Sequence, residues 1–444
     1  MIWDNWETKL ELFRSQVKEM VEEDSKTVFH LPSIDFAEAV LEPTLFSKMV
    51  RTRTERLLSQ IDESLVGKKK LEKSLGKIRI GYIGKGITYD EHESSTFLME
   101  MLKMQNRKEF EIFVYNEDLS QQNEGNARKQ VAFYADHFRD VSFLHLISAV
   151  KLIQEDNLHF LITTELLEGR MTELLSHRLA PVQICYSSVP RSLGGKVVDL
   201  LATHPFLVEK TEHFTETLVS LPFFVPPKLS KYSLRVPQQI TRAELGLPEN
   251  VFSLIVWNDL SFFPQFLESL KEVLTRLPNV QLWLKRDPHY CVDPIKEKLG
   301  TLAERVSFID PTRIASHNEI DIFPLADLAI DTFPISDRQQ TINLLWSGVP
   351  VISMCGESPL SRVSCAILHS LKLEQLTVDS PSKLVEKVVE YVNDKKKLKA
   401  IKRKLDSEKH SPKSLFDSRH SVEQFENKLK EIYNSASDKS KDEL

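Results

Sequence analysis

Two hydrophobic rhythms divide this chain. Through residue 75, apolar positions recur every three or four residues among charged ones, as in "WETKLELFRSQVKEMVEE" and "FSKMVRTRTERLLSQIDESL", a spacing that predicts amphipathic helices. No 34-residue self-similarity runs through them, so they form a short helical segment and not a tetratricopeptide array. From Lys77 the rhythm changes. "IRIGYIG", "FEIFVYN", "LHFLITTEL", "PVQICYSS" and "TLVSLPFFV" are short β-rich runs, and "SSTFLMEMLKMQ", "FLHLISAVKLIQEDN" and "RMTELLSHR" lie between some of them at helical period. Strands alternating with helices predict a parallel sheet covered on both faces.

"VPPKLSKYSLRVPQQITRAELGLPEN" breaks this pattern with Pro, Ser and charge and reads as a linker, with "TRAELGLP" a short helix at its end. A second series follows. Its strands are "VFSLIVW", "VQLWLKR", "RVSFID", "LAIDT" and "PVISM", and its helices "PQFLESLKEVLTRLP", "EIDIFPLAD", "TINLLWSG" and "SRVSCAILHSL". The expected fold class is α/β, with two Rossmann-like domains facing a cleft behind a helical N-terminal segment. The expected boundaries are 1–75 for that segment, 76–225 for the first domain, 226–248 for the linker, 249–410 for the second domain, 411–436 for a C-terminal helix and 437–444 for a tail. Ligands of such sheets bind beyond the carboxyl ends of the strands, which directs attention to the loops after Trp257, Arg286, Asp310, Thr332 and Met354.

Composition narrows the class of function. A length of 444 residues accommodates two or three domains. Hydrophobic content of 41% and charge of 27% are those of a globular protein. With 58 Lys and Arg against 64 Asp and Glu the net charge is −6, and no basic footprint for nucleic acid is present. Cys185, Cys291, Cys355 and Cys365 show no zinc-ligand spacing and read as buried thiols of a reducing compartment. The first residues, "MIWDNWETKLELFRSQ", hold no apolar run, so neither a signal peptide nor a membrane span is expected and the expected location is cytoplasmic. The terminal Lys-Asp-Glu-Leu matches an endoplasmic-reticulum retrieval signal, but retrieval acts only on proteins already in the lumen. We read it as a solvated tail ending in Leu.

Common site motifs are missing: no GxGxxG follows a strand, and there is no GxxxxGK[ST], HExxH or GxSxG. No Asp-x-Asp stands at a strand end, which disfavours a metal-dependent sugar-nucleotide site. Gly81, Gly84 and Gly86 in "GYIGKG" would allow close backbone approach, a weak signal by itself.

A more specific signal is the order of several blocks. "IRIGYIG", "DNLHFLI", "RLAPVQICYSSVPRSLGGKVVDLLAT", "VLTRLPNVQLWLKR", "PLADLAIDTFP", "LLWSGVPVISMCGESPLSRV" and "SPKSLFDSRHSVEQFENKLKEIY" resemble, in sequence order, the catalytic region of glycosyltransferase family 41. The family holds protein O-linked N-acetylglucosamine transferases and bacterial N-glucosyltransferases, and the resemblance runs from about Lys77 to Tyr433. It implies a GT-B architecture, a nucleotide held mainly by the second domain, an acceptor entering from the first, and inversion at the anomeric carbon without a metal. Such chemistry needs helix N-terminal N–H groups and cations to stabilise the leaving diphosphate, and a place for the acceptor's proton.

The chain departs from the family at the diphosphate loop. Where O-GlcNAc members keep His-Thr-Thr-Gly-Met-Asp, this chain has Arg338, Gln339, Gln340, Thr341, Ile342 and Asn343. A family lysine expected near "WNDLSFFP" is replaced by a loop offering Asp259, Ser261 and Phe262. In an active enzyme Arg338 would replace that lysine, since a guanidinium suits a diphosphate. Gln339, Gln340 and Thr341 would then donate to phosphate oxygens, Asn343 would bond a ribose hydroxyl, and Lys285 or Arg286 would add charge. The alternative is that Arg338 is a surface charge capped by Asp337 and its helix simply packs.

On the acceptor side the resemblance carries over His92 in "YDEHESSTFLM" and His159 in "DNLHFLI" as catalytic candidates, while His317 lies near a family histidine by the nucleotide base. "SVPRSLGG" stands in place of a family glycine-rich loop and keeps Pro190, Ser192 and Gly194; Gly356, Glu357, Ser361 and Arg362 are kept too. The expected function is transfer of a GlcNAc- or glucose-like sugar from a UDP-sugar to a protein Ser or Thr, with no metal or other cofactor and no nucleic-acid partner. The rival expectation is a catalytically lapsed homologue that binds a glycosyltransferase or an acceptor protein.

Overall fold

The structure is a computed structural model, and it describes residues 5–22, 33–67, 70–89, 93–118, 125–163, 169–186, 189–192, 197–208, 210–221, 239–258, 264–286, 292–313 and 319–438. Two compact units are present. One is built around an N-terminal sheet and comprises Ser15–His30, Leu41–Phe224 and Ser418–Leu444. The other is built around a C-terminal sheet and comprises Met1–Arg14, Leu31–Val40 and Val225–Asp417.

The N-sheet has seven strands: β1 (Ile78–Gly84), β2 (Phe110–Asn116), β3 (His137–Asp140), β4 (Phe160–Thr163), β5 (Val182–Tyr186), β6 (Leu200–Thr203) and β7 (Thr217–Ser220). Their order is β3-β2-β1-β4-β5-β6-β7 and every pairing is parallel. Side chains alternate across such a sheet, and the near-continuous apolar runs feed both faces. Ile80 and Tyr82 of β1 enter one core with Phe110, Ile112 and Phe160, whereas Ile83 enters the other with Phe113, Tyr115 and Leu161. Val150 and Ile153 of the helix Leu146–Glu155 close the second core.

The first core is closed partly by the end of the chain. The helix Ser418–Asp438 carries Val422, Phe425, Leu429 and Tyr433 at three- and four-residue spacing into the N-sheet core, and Phe425 stacks on Tyr186 of β5 at 5.1 Å. Expected as a separate C-terminal helix over 411–436, it is an integral part of the N-sheet unit.

The C-sheet has β8 (Phe252–Val256), β9 (Val280–Lys285), β10 (Val306–Ile309), β11 (Leu328–Ile330), β12 (Val351–Met354) and β13 (Thr377–Val378), in the order β10-β9-β8-β11-β12-β13, again all parallel. Its helices include Pro264–Arg276, Arg338–Trp346, Val363–Ser370 and Pro381–Asn393. In both sheets the order reverses beside the first strand, which places the carboxyl-end loops where open α/β sheets bind ligands.

Several elements differ from expectation. The segment 1–75 does not stay together: its helix Ile34–Val40 falls in the C-sheet unit, where Glu38 accepts a hydrogen bond from the Leu360 N–H at 2.9 Å, while Pro43–Leu58 falls in the N-sheet unit. "EIDIFPLAD" forms two short 3₁₀ turns, Glu319–Asp321 and Phe323–Leu325, in place of a helix. Strands β3, β6 and β13 went unpredicted. The sequence of β3, "HFRD", is polar because it is a half-buried edge strand whose Arg139 bonds Asp156 at 2.5 and 2.7 Å.

The cysteines also differ. Cys355 and Cys365 are joined in a disulfide, because the turn from β12 into the helix Val363–Ser370 brings their Cα atoms to 6.0 Å; Cys185 is a buried free thiol and Cys291 lies outside the described residues. Ten residues of separation conceal this proximity in the sequence.

Phe425→Ala removes a side chain that is 1% exposed, so it should destabilise the N-sheet unit by roughly 3–5 kcal/mol. A fall in the urea midpoint of that unit's transition checks this; an unchanged midpoint would place the last helix outside the core.

Candidate functional site

The carboxyl edge of the C-sheet gathers the polar residues. Asp331 follows β11 and is buried; its Oδ2 accepts from Ser353 Oγ of β12 at 2.8 Å and its Oδ1 from the Asp337 N–H at 3.3 Å. Burial raises its pKa to about 6, against the lowering effect of the hydrogen bonds from Ser353 and the Asp337 backbone and of the nearby Ser364 and Ser336 hydroxyls. Thr332 donates to Ile335 O at 2.6 Å and accepts from the Asn258 amide beyond β8.

These bonds aim the helix Arg338–Trp346. Asp337 is its N-cap, and the carboxylate accepts from the Gln340 N–H at 3.0 Å. A negative charge therefore already occupies part of the helix N-terminus, the place a phosphate would take. Arg338 is half-buried, and burial draws its pKa down to about 9, which leaves it cationic at neutral pH.

The other expected ligand residues make bonds within the fold. Gln339 donates to Asn343 Oδ1 at 3.1 Å, and Thr341 Oγ1 lies 2.7 Å from Ser364 Oγ. Thr341 is 2% and Asn343 1% exposed, so both are buried. Gln340 gives its Nε2 to Glu319 at 2.7 Å, and its buried Oε1 has no hydrogen-bond partner among the described residues. An orphaned acceptor suits a ligand N–H or O–H; phosphate, which only accepts, is the wrong partner.

Glu319 is the residue that sequence reasoning missed. Besides Gln340 it accepts from Trp257 Nε1 at 2.9 Å and pairs with Lys285 Nζ at 3.2 Å. Lys285, expected to supply charge to a diphosphate, is thus already neutralised within the protein, while Arg286 beside it is exposed. Nothing in a single carboxylate ahead of "IDIFP" signals a hub joining β8, β9 and the helix Arg338–Trp346. Gly356, after β12, is required by space: a Cβ there would lie 2.4 Å from Ser361 Oγ, and its carbonyl accepts from Arg362 at 3.1 Å.

In the N-sheet unit His159 does not stand at the carboxyl edge. It immediately precedes β4, at the amino edge of the sheet, where Nδ1 accepts from the Arg79 N–H at 2.8 Å and the ring sits edge-on to Tyr433 at 5.1 Å. Burial, then the charge of Arg79, lowers its pKa. Opposite the loops where chemistry is expected and locked by a backbone bond, His159 is a packing residue, which corrects the catalytic expectation. His92, Asp259 and His317 lie outside the described residues.

At the carboxyl edge of the N-sheet the structure instead collects Glu117 after β2, 1% exposed and held by Arg170 at 3.3 Å, and Asn116, bonded to Thr88 at 3.0 Å. Ser192 of the altered loop donates to Glu216 at 2.8 Å. The only sequence signal for Asn116 and Glu117 was polarity at the last step of an apolar strand.

The sequence model described as "Glycosyl transferase family 41" matches residues 54–228 and 230–425, across both sheets. The chain belongs to glycosyltransferase family 41. Similar proteins include the probable UDP-N-acetylglucosamine–peptide N-acetylglucosaminyltransferase SEC of Arabidopsis thaliana, 27% identical over 377 residues, covering 82% of this chain and 38% of the relative. The tomato (Solanum lycopersicum) SPINDLY protein, described with the same activity, is 23% identical over 334 residues, covering 71% of this chain and 34% of the relative. The chain thus spans little more than a third of the length of these relatives. An O-GlcNAc transferase variant of Thermobaculum terrenum superposes with a TM-score of 0.80 at 19% identity, covering 97% of this chain and 82% of that one. A sucrose-phosphate synthase from Thermosynechococcus elongatus, at TM-score 0.51 and 13% identity over 81% of this chain and 100% of that one, shares the fold more distantly. The fold of this family 41 chain is GT-B.

The folded pKa of Asp331, about 6, lies above its ordinary value of 3.8, so its contribution to stability is present below pH 4 and is lost as pH rises through 6. The stability of the wild type relative to Asp331→Asn should therefore increase as pH falls from 7 to about 4, on the order of 1–3 kcal/mol. Urea titrations across this range test it, and a pH-independent difference would refute the buried state assigned to Asp331.

Proposed function

We propose that this chain is a glycosyltransferase that moves a GlcNAc- or glucose-like sugar from a UDP-sugar to a protein side chain, Ser or Thr, by inversion without a metal. The observation that carries the reading is Arg338, a cation held at the N-terminus of a carboxyl-edge helix in a family 41 fold. Its guanidinium and the helix dipole would offset the charge of the leaving diphosphate. The unsatisfied Gln340 Oε1 would accept from the nucleoside. The printed activities of the SEC and SPINDLY relatives supply the donor and the acceptor class.

A second reading rests on specific contacts. Asp337 caps the helix, Glu319 neutralises Lys285, and the Thr341 hydroxyl and Asn343 Oδ1 are bonded within the fold. A homologue that has lost donor binding and serves as a binding subunit would look like this.

UDP separates the two. For the enzyme, saturating UDP should raise the melting temperature by several degrees, since ligand at about 100 times Kd adds roughly 2.7 kcal/mol, and Arg338→Ala should abolish the rise. Intact-mass analysis of acceptor proteins should then show N-acetylhexosamine-sized additions after incubation with UDP-GlcNAc or hexose-sized additions after incubation with UDP-glucose. No shift at millimolar UDP and no transfer would leave the binding subunit.

A cytoplasmic location is part of the proposal, and the Cys355–Cys365 bridge weighs against it, because disulfides are rare in that compartment. No described helix is long and apolar enough to cross a membrane. Differential alkylation of freshly lysed cells decides: a cytoplasmic protein should yield Cys355 and Cys365 as free thiols, and recovery of the bridged pair would assign an oxidising compartment.

A further inference from the structure

Between the helical segment and β1, residue 67 and residues 70–77 lie as a strap across the amino edge of the N-sheet. Three anchors hold it. Gly67 donates to His177 O at 2.9 Å, at a point where any Cβ would lie 2.1 Å from Arg178 O; Leu71 is buried in the N-sheet core; and the Ser74 N–H donates to Tyr433 OH at 2.8 Å. Beneath the strap lies a cavity of about 620 Å³, floored by Asn157, Leu158 and His159 before β4 and by Leu179, Ala180 and Pro181 before β5. That volume is within the range of small-molecule sites.

The charge balance of its walls is uneven. Arg79 is paired with Glu111 at 3.0 Å, Glu111 also meets His137 at 2.9 Å, and the buried Arg178 is paired with Asp199. Gln154 spends its amide on the carbonyls of Leu65, His177 and Arg178. This leaves Lys70, Lys73 and Lys77 lining the cavity without an ion pair among the described residues, against one carboxylate, Glu72. In a chain of net charge −6 this is a local excess of positive charge facing a preformed space. The three lysines stand three and four residues apart in the chain, so their long side chains can converge on one ligand, a donor set suited to more than one phosphate group.

We propose that the cavity lined by Lys70, Lys73 and Lys77 is a binding site for a small molecule carrying two or more phosphate groups, separate from the candidate nucleotide site of the C-sheet. Lysine ammonium groups supply the charge as point donors, and the pinned strap spares the ligand the cost of ordering the loop.

Isothermal titration of the full chain with sodium tripolyphosphate tests this. Saturable binding at one site is expected, weakened about tenfold in Lys70→Gln/Lys73→Gln/Lys77→Gln, as three exposed charge contacts would give. It should persist in Arg338→Ala, which removes the cation of the C-sheet site. The lysines are exposed, so the triple variant should keep the wild-type melting temperature in the absence of ligand. Absence of saturable binding at millimolar tripolyphosphate, or equal binding by the triple variant, would overturn the proposal. Loss of binding in Arg338→Ala would reassign the phosphate to the C-sheet site, and equal affinity for citrate or tighter binding of poly-glutamate would overturn the phosphate class.

Discussion

Asp331 leaves β11 buried, and a carboxylate taken out of water is tolerated only where hydrogen bonds replace its hydration. Those bonds tie three elements together: Ser353 in β12, the N-cap Asp337 ahead of the helix Arg338–Trp346, and Ser364 in the helix Val363–Ser370. The direction of the helix that presents Arg338 follows from satisfying this one group. Ser364 also meets Thr341, and Cys365 beside it is bridged to Cys355, so the loop after β12 is tethered to the same point.

The polar residues around this centre mostly satisfy one another. Glu319 takes Lys285, Trp257 and Gln340, and Asp337 takes the Gln340 N–H. A diphosphate arriving here meets a cation, Arg338, together with a carboxylate cap, and must compete with existing bonds. Buried networks bind ligands best through the members left unsatisfied, and Gln340 Oε1 is such a member. The amino edge of the N-sheet is the reverse case, with lysines that have no ion-pair partner among the described residues over an open volume.

Legibility in the sequence tracked the length and periodicity of each element. The apolar strands β1, β2, β4, β8, β9 and β12 are readable because a strand buried on both faces is a continuous run of Ile, Val, Leu and Phe. The edge strand β3 is not, since half-exposed "HFRD" has the composition of a turn. His159 shows the limit for site residues: it stands next to an apolar strand, and only the register of that strand says which end of the sheet it occupies.

The sequence by itself determined two doubly wound α/β units and the family frame, because hydrophobic period and block order are local properties of the chain. Tertiary structure alone decided that the last helix completes the first unit, that Cys355 meets Cys365, that Glu319 neutralises Lys285 and that Thr341 and Asn343 are buried. Each of these depends on which groups meet across elements, and the need to pair buried charge and fill buried volume is settled only when the elements are assembled.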